Sequence, residues 1–224
     1  MSQLTKNAAR AVAYAMGDDC YAIVGGAACT MLGSARVTMD VDFVVPQGQT
    51  KLARNKLRDH SAFQVEVRTN HTSYVEAGAN TVGIEILAPP GMFRDQFSAS
   101  TPYVLVDNVR VLKPTLLLNA KCGSILGRSS DLKKRSDAED IKFLLSYISS
   151  SGMSVESDVP KATDELIAWF SGQYGGKELF EKAGFAVPNS MYLFVDVFPS
   201  RDSATKLTSS PFHISCNFFR RNHL

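Results

Sequence analysis

Two aspartates alternate with apolar residues in the stretch 39–45, MDVDFVV, and this pattern constrains the fold more than any other feature of the sequence. An alternation of this kind predicts a β-strand, on which residues i and i+2 project from the same face. Asp40 and Asp42 therefore project together, while Val41 and Phe43 enter the opposite layer. Two like charges on one face contribute nothing to a core, so they require either solvent or a bound cation.

A glycine pair, Gly25-Gly26, precedes Asp40 by thirteen intervening residues. We predict a short buried strand over 21–24 before the pair and a helix over 27–32 after it. Glycine lets the backbone approach a phosphate closely, and the start of a helix offers free N–H groups to an anion. The glycine pair and the aspartate pair are the two halves of this pattern, and each has an ordinary alternative. The glycines could form a plain turn, and the acids could lie on a solvated strand edge. Found together at this spacing, the two halves favour a site for metal ions and a phosphorylated substrate.

A third acid would complete such a site. Glu85 lies between isoleucines in the predicted strand 82–87. If this strand pairs beside 39–45, Glu85 can meet the two aspartates; the alternative is an outward-facing strand glutamate. Glu66 and Glu76 are rival strand acids in poorer contexts. Carboxylate oxygens combined with substrate phosphates are the ligands that Mg²⁺ prefers.

The remaining pattern predicts an α/β (α+β) fold, with a short mixed sheet, flanking helices and a mainly helical C-terminal part. Asp107-Asn108, between two apolar runs, predicts a tight hairpin. The predicted division is an α/β core over 1–112, a helical region over 113–190 and an irregular tail of uncertain order over 191–224. Further strands are predicted over 63–68, 73–77, 103–106 and 109–112, and further helices over 4–16, 49–60, 114–126, 136–149, 164–170 and 177–183.

Charge and cysteine usage exclude several classes of protein. The chain has 24 Lys+Arg against 22 Asp+Glu, a formal charge of +2, which gives no bulk reason for extended nucleic-acid binding. Four cysteines without metal-ligand spacing argue against a zinc site and a disulfide scaffold, and Cys20, Cys29 and Cys122 are expected to be buried free thiols. No run approaches the roughly 18 apolar residues of a membrane span. A soluble, cytoplasmic protein that makes no membrane contact is expected.

The segment VGGAACTMLGSARVTMDVDFVV resembles the signature of the nucleotidyltransferase-fold superfamily, the polymerase-β-like transferases: a glycine turn, a helix, then two acids alternating with apolar residues. The variant with Arg36, Thr38 and Asp40-Val41-Asp42-Phe43 resembles the AbiEii-like group, which includes nucleotidyltransferase toxins and related fungal proteins. The resemblance extends through VLKP at 111–114, Lys121 and Arg128 to the segment 134–141, and so covers residues 20–148.

The resemblance implies Mg²⁺-dependent (or Mn²⁺-dependent) transfer of a nucleoside monophosphate from an NTP such as ATP to a hydroxyl, with pyrophosphate leaving. Asp40 and Asp42 would hold the metal ions, and Glu85 would help to bind the catalytic ion near the acceptor. The third acid is Glu here rather than the commoner Asp, which lengthens its reach by one methylene. The acceptor (RNA, protein or a small molecule), the preferred base and the oligomeric state all stay open.

Several charged residues of the matching segments could surround the nucleotide. Lys121 and Arg128 are seven apart, near one face of a continuous helix, and could neutralise triphosphate charge; the alternative is a solvated pair. Asp137 and Asp140 could orient these cations, although the preference of helix N-termini for acids explains them almost as well. The full set of predicted nucleotide-binding residues is Gly25, Gly26, Arg36, Thr38, Lys121 and Arg128, with loop solvation as the alternative for Arg36 and Thr38.

Two further functions compete with catalytic nucleotide transfer. One is a catalytically silent protein whose nucleotidyltransferase fold serves as a binding module. The other uses the Asp-x-Asp for a metal-dependent glycosyltransferase, against which the Gly-Gly turn and the short chain count. The basic run 51–58, KLARNKLR, is interpreted as a solvated helix face or as a patch that guides a nucleic-acid acceptor.

Overall fold

The predicted aspartate strand forms and is buried near the middle of a mixed sheet. The computed structural model describes residues 2–76, 80–155 and 158–187, which belong to one compact unit. The strands of this part are β1 (Ala22–Val24), β2 (Asp40–Val44), β3 (Phe63–Val65), β4 (Thr72–Val75), β5 (Thr81–Leu87), β6 (Tyr103–Val106) and β7 (Val109–Leu112). They form one sheet in the order β3-β4-β5-β2-β1-β7-β6.

Strand β2 has a neighbour on each side, β1 running antiparallel and β5 running parallel to it. Val41 and Phe43 are fully buried, whereas Asp40 is exposed and Asp42 is half-buried, so the alternation in the sequence separates a core face from a charged face as expected. The sheet is mixed because β1 also pairs in parallel with β7, while the other pairs are antiparallel. The predicted fold class is confirmed.

The helices are α1 (Ser2–Met16), α2 (Gly25–Met31), α3 (Thr50–Asp59), α4 (Pro114–Ile125), α5 (Asp131–Ser150), α6 (Asp164–Tyr174) and α7 (Lys177–Lys182). Helices α1, α2 and α3 pack against the sheet, and several helices begin or end away from their predicted bounds. Helix α5 begins at Asp131 rather than Ser136, and α2 begins at Gly25 itself. Helix α1 packs against α2 and α3, and α4 packs along α5.

The turns decide where the strands end. Asp107 and Asn108 adopt φ values of 50° and 63° between β6 and β7, as the predicted two-residue hairpin requires. Strand β3 ends at Val65, three residues before the predicted end, because the Glu66 N–H donates to the His71 carbonyl and Asn70 turns the chain with φ 60°. The alternation beyond Val65 therefore belongs to a turn and not to a strand.

The other expectations from the sequence have mixed outcomes. Cys29 and Cys122 are buried free thiols, but Cys20 is half-buried, which corrects the expectation for that residue. Within 2–76, 80–155 and 158–187, no helix is both long and apolar enough to cross a bilayer. The predicted tail 191–224 and Cys216 lie outside the described residues, and the predicted boundary at residue 112 stays a prediction.

Candidate active site

The three predicted acids lie on adjacent strands. In the parallel pairing of β2 with β5, Asp42 stands opposite Glu85 and Asp40 stands opposite Gly83. Neighbouring strands are about 4.8 Å apart, and alternate residues share a face, so all three acids lie on one side of the sheet. The strand pairing that the Glu85 hypothesis needed is therefore present.

Asp42 is the acid most affected by its surroundings. Burial raises its pKa, and the negative charges of Asp40 and Glu85 raise it further, to about 7. The positive charges of Lys121 and Arg128 lower the pKa of Asp42, but they offset only part of this increase. Three carboxylates whose negative charges repel one another form an environment that favours a bound cation.

The glycine pair makes room for the side chains of the site. Gly25 has φ +65°, and a Cβ at this position would lie 2.3 Å from Oδ2 of Asp42. A Cβ at Gly26 would lie 2.7 Å from Nη1 of Arg36 and 3.1 Å from Oγ1 of Thr38. The sequence interpretation assigned the glycines to phosphate approach alone; in the structure they also admit three side chains of the candidate site.

Thr38 and Arg36 hold parts of the site in place. The Thr38 hydroxyl donates to Oδ1 of Asp40 at 2.7 Å, which fixes the orientation of that carboxylate. Arg36 Nη1 donates to Oδ2 of Asp140 at 2.5 Å, joining the loop before β2 to helix α5. Both residues therefore have specific partners, and simple loop solvation does not describe them.

Lys121 and Arg128 are paired with buried acids of α5. Lys121 Nζ lies 2.6 Å from Oδ1 of Asp137 and 2.8 Å from Oδ2 of Asp140, and Arg128 Nε donates to Oδ2 of Asp137 at 2.8 Å. Burial alone would raise the pKa of Asp137, but Lys121 and Arg128 outweigh it and lower that pKa. The charge of Lys121 is in turn stabilised, because Asp140 and Asp137 raise its pKa against the effect of burial.

The position of Asp137 and Asp140 in α5 decides between two explanations for these acids, orientation of the cations and the preference of helix N-termini for acidic residues. Asp137 and Asp140 have side chains 3% and 0% exposed, and both lie beyond the first turn of α5 because the helix begins at Asp131. The preference of helix N-termini for acids extends over only the first turn. Their contacts agree instead with the role of orienting Lys121 and Arg128.

A cleft of about 380 Å³ is lined by Asp42 together with Lys121 and Arg128. Gly25, Asp42, Lys121 and Arg128 are predicted site residues that line it, whereas Asp40 and Glu85 stand beside it on the sheet. Asp137 and Asp140 contact the cleft residue Lys121, and Arg36 contacts Asp140, but these three residues do not line the cleft. The cleft also contains cations and an acid that the sequence did not single out: Arg94, Asp95 and Lys161.

These missed residues come from irregular segments. Arg94 and Asp95 follow the stop Pro89-Pro90-Gly91, and Lys161 lies between α5 and α6. Charged residues in such segments carry no periodicity that a sequence reading could use. Only tertiary structure reveals that the two segments meet at the cleft, where Lys161 pairs with Asp95.

The donor set suits a hard divalent ion, although its side chains are not gathered into a cage. In the part of the chain that the structure describes, no three His, Cys, Asp or Glu side chains converge as a ready-made metal site. Mg²⁺ is usually bound by one or two carboxylates together with substrate phosphates and water, and seldom by a complete protein cage. Asp42, crowded by Asp40 and Glu85, fits that kind of site.

We expect Gly25→Ala to damage both stability and the site. The residue has a left-handed φ, and its Cβ would meet Asp42 at 2.3 Å, so the change should cost about 2 kcal/mol or more of unfolding free energy. Urea unfolding monitored by circular dichroism measures this cost. Gly17→Ala is the matched control, because Gly17 has φ +58° but no neighbour within 4 Å of its Cβ position. Equal losses of unfolding free energy in both variants would contradict a steric clash between the new methyl group and Asp42.

Comparisons with known structures support the fold. An antigenic nucleotidyltransferase-like protein from Paracoccidioides brasiliensis matches with TM-score 0.59 and 21% identity, over 81% of this chain and 92% of that chain. A proposed nucleotidyltransferase from H. pylori matches with TM-score 0.52 and 14% identity, over 80% of this chain and 79% of that one. JHP933 from Helicobacter pylori matches with TM-score 0.51 and 15% identity, over 81% and 78%.

These likenesses establish a nucleotidyltransferase-like fold for this chain. No protein-family model matches the sequence, and no curated protein matches it either. The narrower resemblance to the AbiEii-like group therefore stays a prediction.

Proposed function

We propose that this protein is a metal-dependent nucleotidyltransferase, which transfers the nucleoside monophosphate of an NTP to an acceptor hydroxyl and releases pyrophosphate. The observation that carries the proposal is that Asp42, which stands opposite Glu85 in the sheet, lines the same cleft as Lys121 and Arg128. Acids on one side and cations on the other match a substrate that arrives as a metal-bound polyphosphate. The nucleotidyltransferase-like fold supports the same reaction class. Within it, an AbiEii-like protein is our narrower proposal.

Asp40, Asp42 and Glu85 would hold Mg²⁺ or Mn²⁺. When bound, such ions neutralise developing charge on the phosphates and orient the attacking and leaving oxygens. Thr38 prepares this arrangement by fixing Asp40 through its hydroxyl. Glu85, on the exposed side of β5, is the acid we assign nearest to the acceptor.

The chain's own cations would bind the polyphosphate. Lys121 is held by Asp137 and Asp140, so its ammonium group is positioned before the substrate arrives. Arg128, about two-fifths exposed, keeps N–H groups available beside its bond to Asp137. In the transfer, the acceptor oxygen forms a bond to the α-phosphorus and releases its proton, while the bond to the bridging oxygen breaks and pyrophosphate leaves. The acceptor belongs to one of three classes: RNA, protein or a small molecule.

A binding module without catalysis is the second candidate. The observation that favours it is the lack of a converged three-acid cluster among the described residues. Such a protein would bind a nucleotide with little help from Mg²⁺ and would transfer nothing.

Calorimetric titration tests the proposal. We expect at least one NTP to bind tightly only in the presence of Mg²⁺, and we expect this dependence to disappear in the double variant D40N/D42N. Glu66→Gln is the matched control, because Glu66 is an exposed carboxylate in the turn that follows β3 and does not line the cleft. Mg²⁺-independent NTP binding would favour the binding module, and tighter binding of a UDP-sugar than of any NTP would favour a glycosyltransferase.

A further inference from the structure

Lys161 is a cleft cation that helix α4 holds in place. The Lys161 backbone N–H donates to Oδ1 of Asn119 at 3.0 Å, and the Ala162 N–H donates to the Val159 carbonyl, closing the turn that carries the lysine. The Lys161 side chain crosses Gly123, where a Cβ would lie 2.5 Å from its Cδ. Backbone and side chain are thus both placed against α4, the helix that also carries Lys121.

The partner of Lys161 differs in kind from the partners of Lys121. Lys161 Nζ lies 2.6 Å from Oδ1 of Asp95, and the two side chains are 32% and 33% exposed. Both residues line the cleft, so this ion pair lies on its wall. Lys121, in contrast, is bound to acids beneath the wall that are almost fully buried.

We propose that Lys161 is an exchangeable phosphate-binding residue: Asp95 holds its ammonium group at the cleft, and the polyphosphate of the incoming nucleotide replaces Asp95 as its partner. The inference rests on the proposed function and names a further residue that recognises the substrate. Lys121 and Arg128 form the fixed part of the phosphate site, and Lys161 forms the part that changes partner.

The exchange follows from solvation and charge. Water reaches the ion pair of Lys161 and Asp95, whose side chains are about one-third exposed, and screens it more than the buried pairs of Lys121, so separating Lys161 from Asp95 costs less. A polyphosphate carries more negative charge than one carboxylate, and a flexible ammonium group can follow it as a point charge. Separating Lys121 from its acids would leave charges unpaired in a buried region, which is strongly unfavourable. The two lysines therefore have different roles in one cleft.

Binding of Mg²⁺-ATP and of Mg²⁺-tripolyphosphate to the full chain tests the inference, with adenosine as the probe that lacks phosphate. We expect Lys161→Met to weaken binding of both polyphosphates about tenfold, because one charge-assisted contact is lost. Binding of adenosine should be unchanged. Asp95→Asn should strengthen polyphosphate binding about threefold, because the competing carboxylate is gone. Lys56→Met is the matched control: its pair with Asp19 is 2.7 Å long and 34% and 33% exposed, but it does not line the cleft.

Gly123→Ala provides a second variant that does not depend on removing the lysine. The added methyl group should displace the Lys161 side chain and weaken polyphosphate binding several-fold. Alanine is favoured over glycine within a helix, so the melting temperature should not fall. Reduced binding without reduced stability would separate the effect of Lys161 from general unfolding.

The outcomes distinguish this inference from the proposed function. If the wild type binds Mg²⁺-ATP and Lys161→Met binds it equally well, the exchange is wrong and the proposed function stands. If Asp95→Asn weakens binding as much as Lys161→Met does, the pair is structural and the exchange is again wrong. If the wild type binds neither polyphosphate, the proposed function fails, and the inference fails with it.

Discussion

Replacing Asp42 by asparagine is expected to abolish nucleotide transfer while making the protein more stable at neutral and alkaline pH. The side chain keeps its size but loses the charge that would hold the metal ion, so we expect activity to fall by about a thousandfold or more. The folded protein gains stability because Asp42 is half-buried beside two other carboxylates, Asp40 and Glu85. A gain on the order of 2 kcal/mol would raise the melting temperature by about 5 °C.

The stability gain should depend on pH with a definite sign. The pKa of Asp42 is raised from 3.8 to about 7 in the folded protein. Between these values the unfolded chain has released a proton that the folded chain keeps, so the wild type loses stability as the pH rises from about 4 to 7. Melting temperatures of Asp42→Asn and wild type should therefore nearly coincide near pH 4 and diverge up to pH 7.

Differential scanning calorimetry across this pH range measures the effect. Glu66→Gln, the exposed control, should follow the wild type at every pH. Two results would contradict the claim that Asp40 and Glu85 destabilise the charged form of Asp42. One is an Asp42→Asn variant that is less stable than the wild type at pH 8, and the other is a difference in melting temperature that does not change with pH.

Replacing Asp140 by asparagine is expected to have the largest effect on stability. Its Oδ2 accepts from Arg36 and also pairs with Lys121, and its side chain is fully buried. Neutralising one member of a buried charge network leaves its partners without compensation, at a cost of about 3 kcal/mol. The melting temperature should fall by about 6 to 12 °C in a chain of this size.

Asp131→Asn is the matched control on the same helix. The Asp131 side chain is 90% exposed, and its Oδ1 lies 3.8 Å from Nζ of Lys134. Loss of this surface ion pair should lower the free energy of unfolding by less than about 1 kcal/mol. Thermal unfolding of both variants at pH 7 makes the comparison. If Asp140→Asn melts within 2 °C of Asp131→Asn, the network does not stabilise the fold.

The sheet and its charged face could be predicted because their sequence signals are local. The alternation around Val41 and Phe43 identifies β2, and the Asp107-Asn108 dipeptide identifies the hairpin of β6 and β7. The pairing of Asp42 with Glu85 was conditional on a strand order that periodicity does not specify. Two strands distant in sequence become neighbours only through the packing of the whole sheet.

For the cation network, the sequence predicted the residues and left open whether Asp137 and Asp140 orient Lys121 and Arg128, and it did not predict the contact between Arg36 and Asp140. The sequence placed Asp137 near a helix start, because the signal for the beginning of α5 at Asp131 is weak, and so left its role ambiguous. The sequence did not identify Lys161 and Asp95, because each lies in an irregular segment; Lys161 is positioned by a hydrogen bond to Asn119 of α4, and Asp95 is positioned beside Lys161. Local patterns predicted the residues on regular elements, whereas tertiary packing determined those contributed by loops.

The most direct test of the central claim follows the α-phosphate. The protein is incubated with Mg²⁺, an acceptor pool containing RNA, protein and small hydroxyl compounds, and each NTP labelled at the α- or the γ-phosphate. We predict that the α-label becomes attached to an acceptor while the γ-label is released as pyrophosphate, and that D40N/D42N does neither. If no acceptor gains the α-label, or if the double variant transfers it as well as the wild type does, the assignment of Asp40 and Asp42 to metal-dependent nucleotide transfer is contradicted.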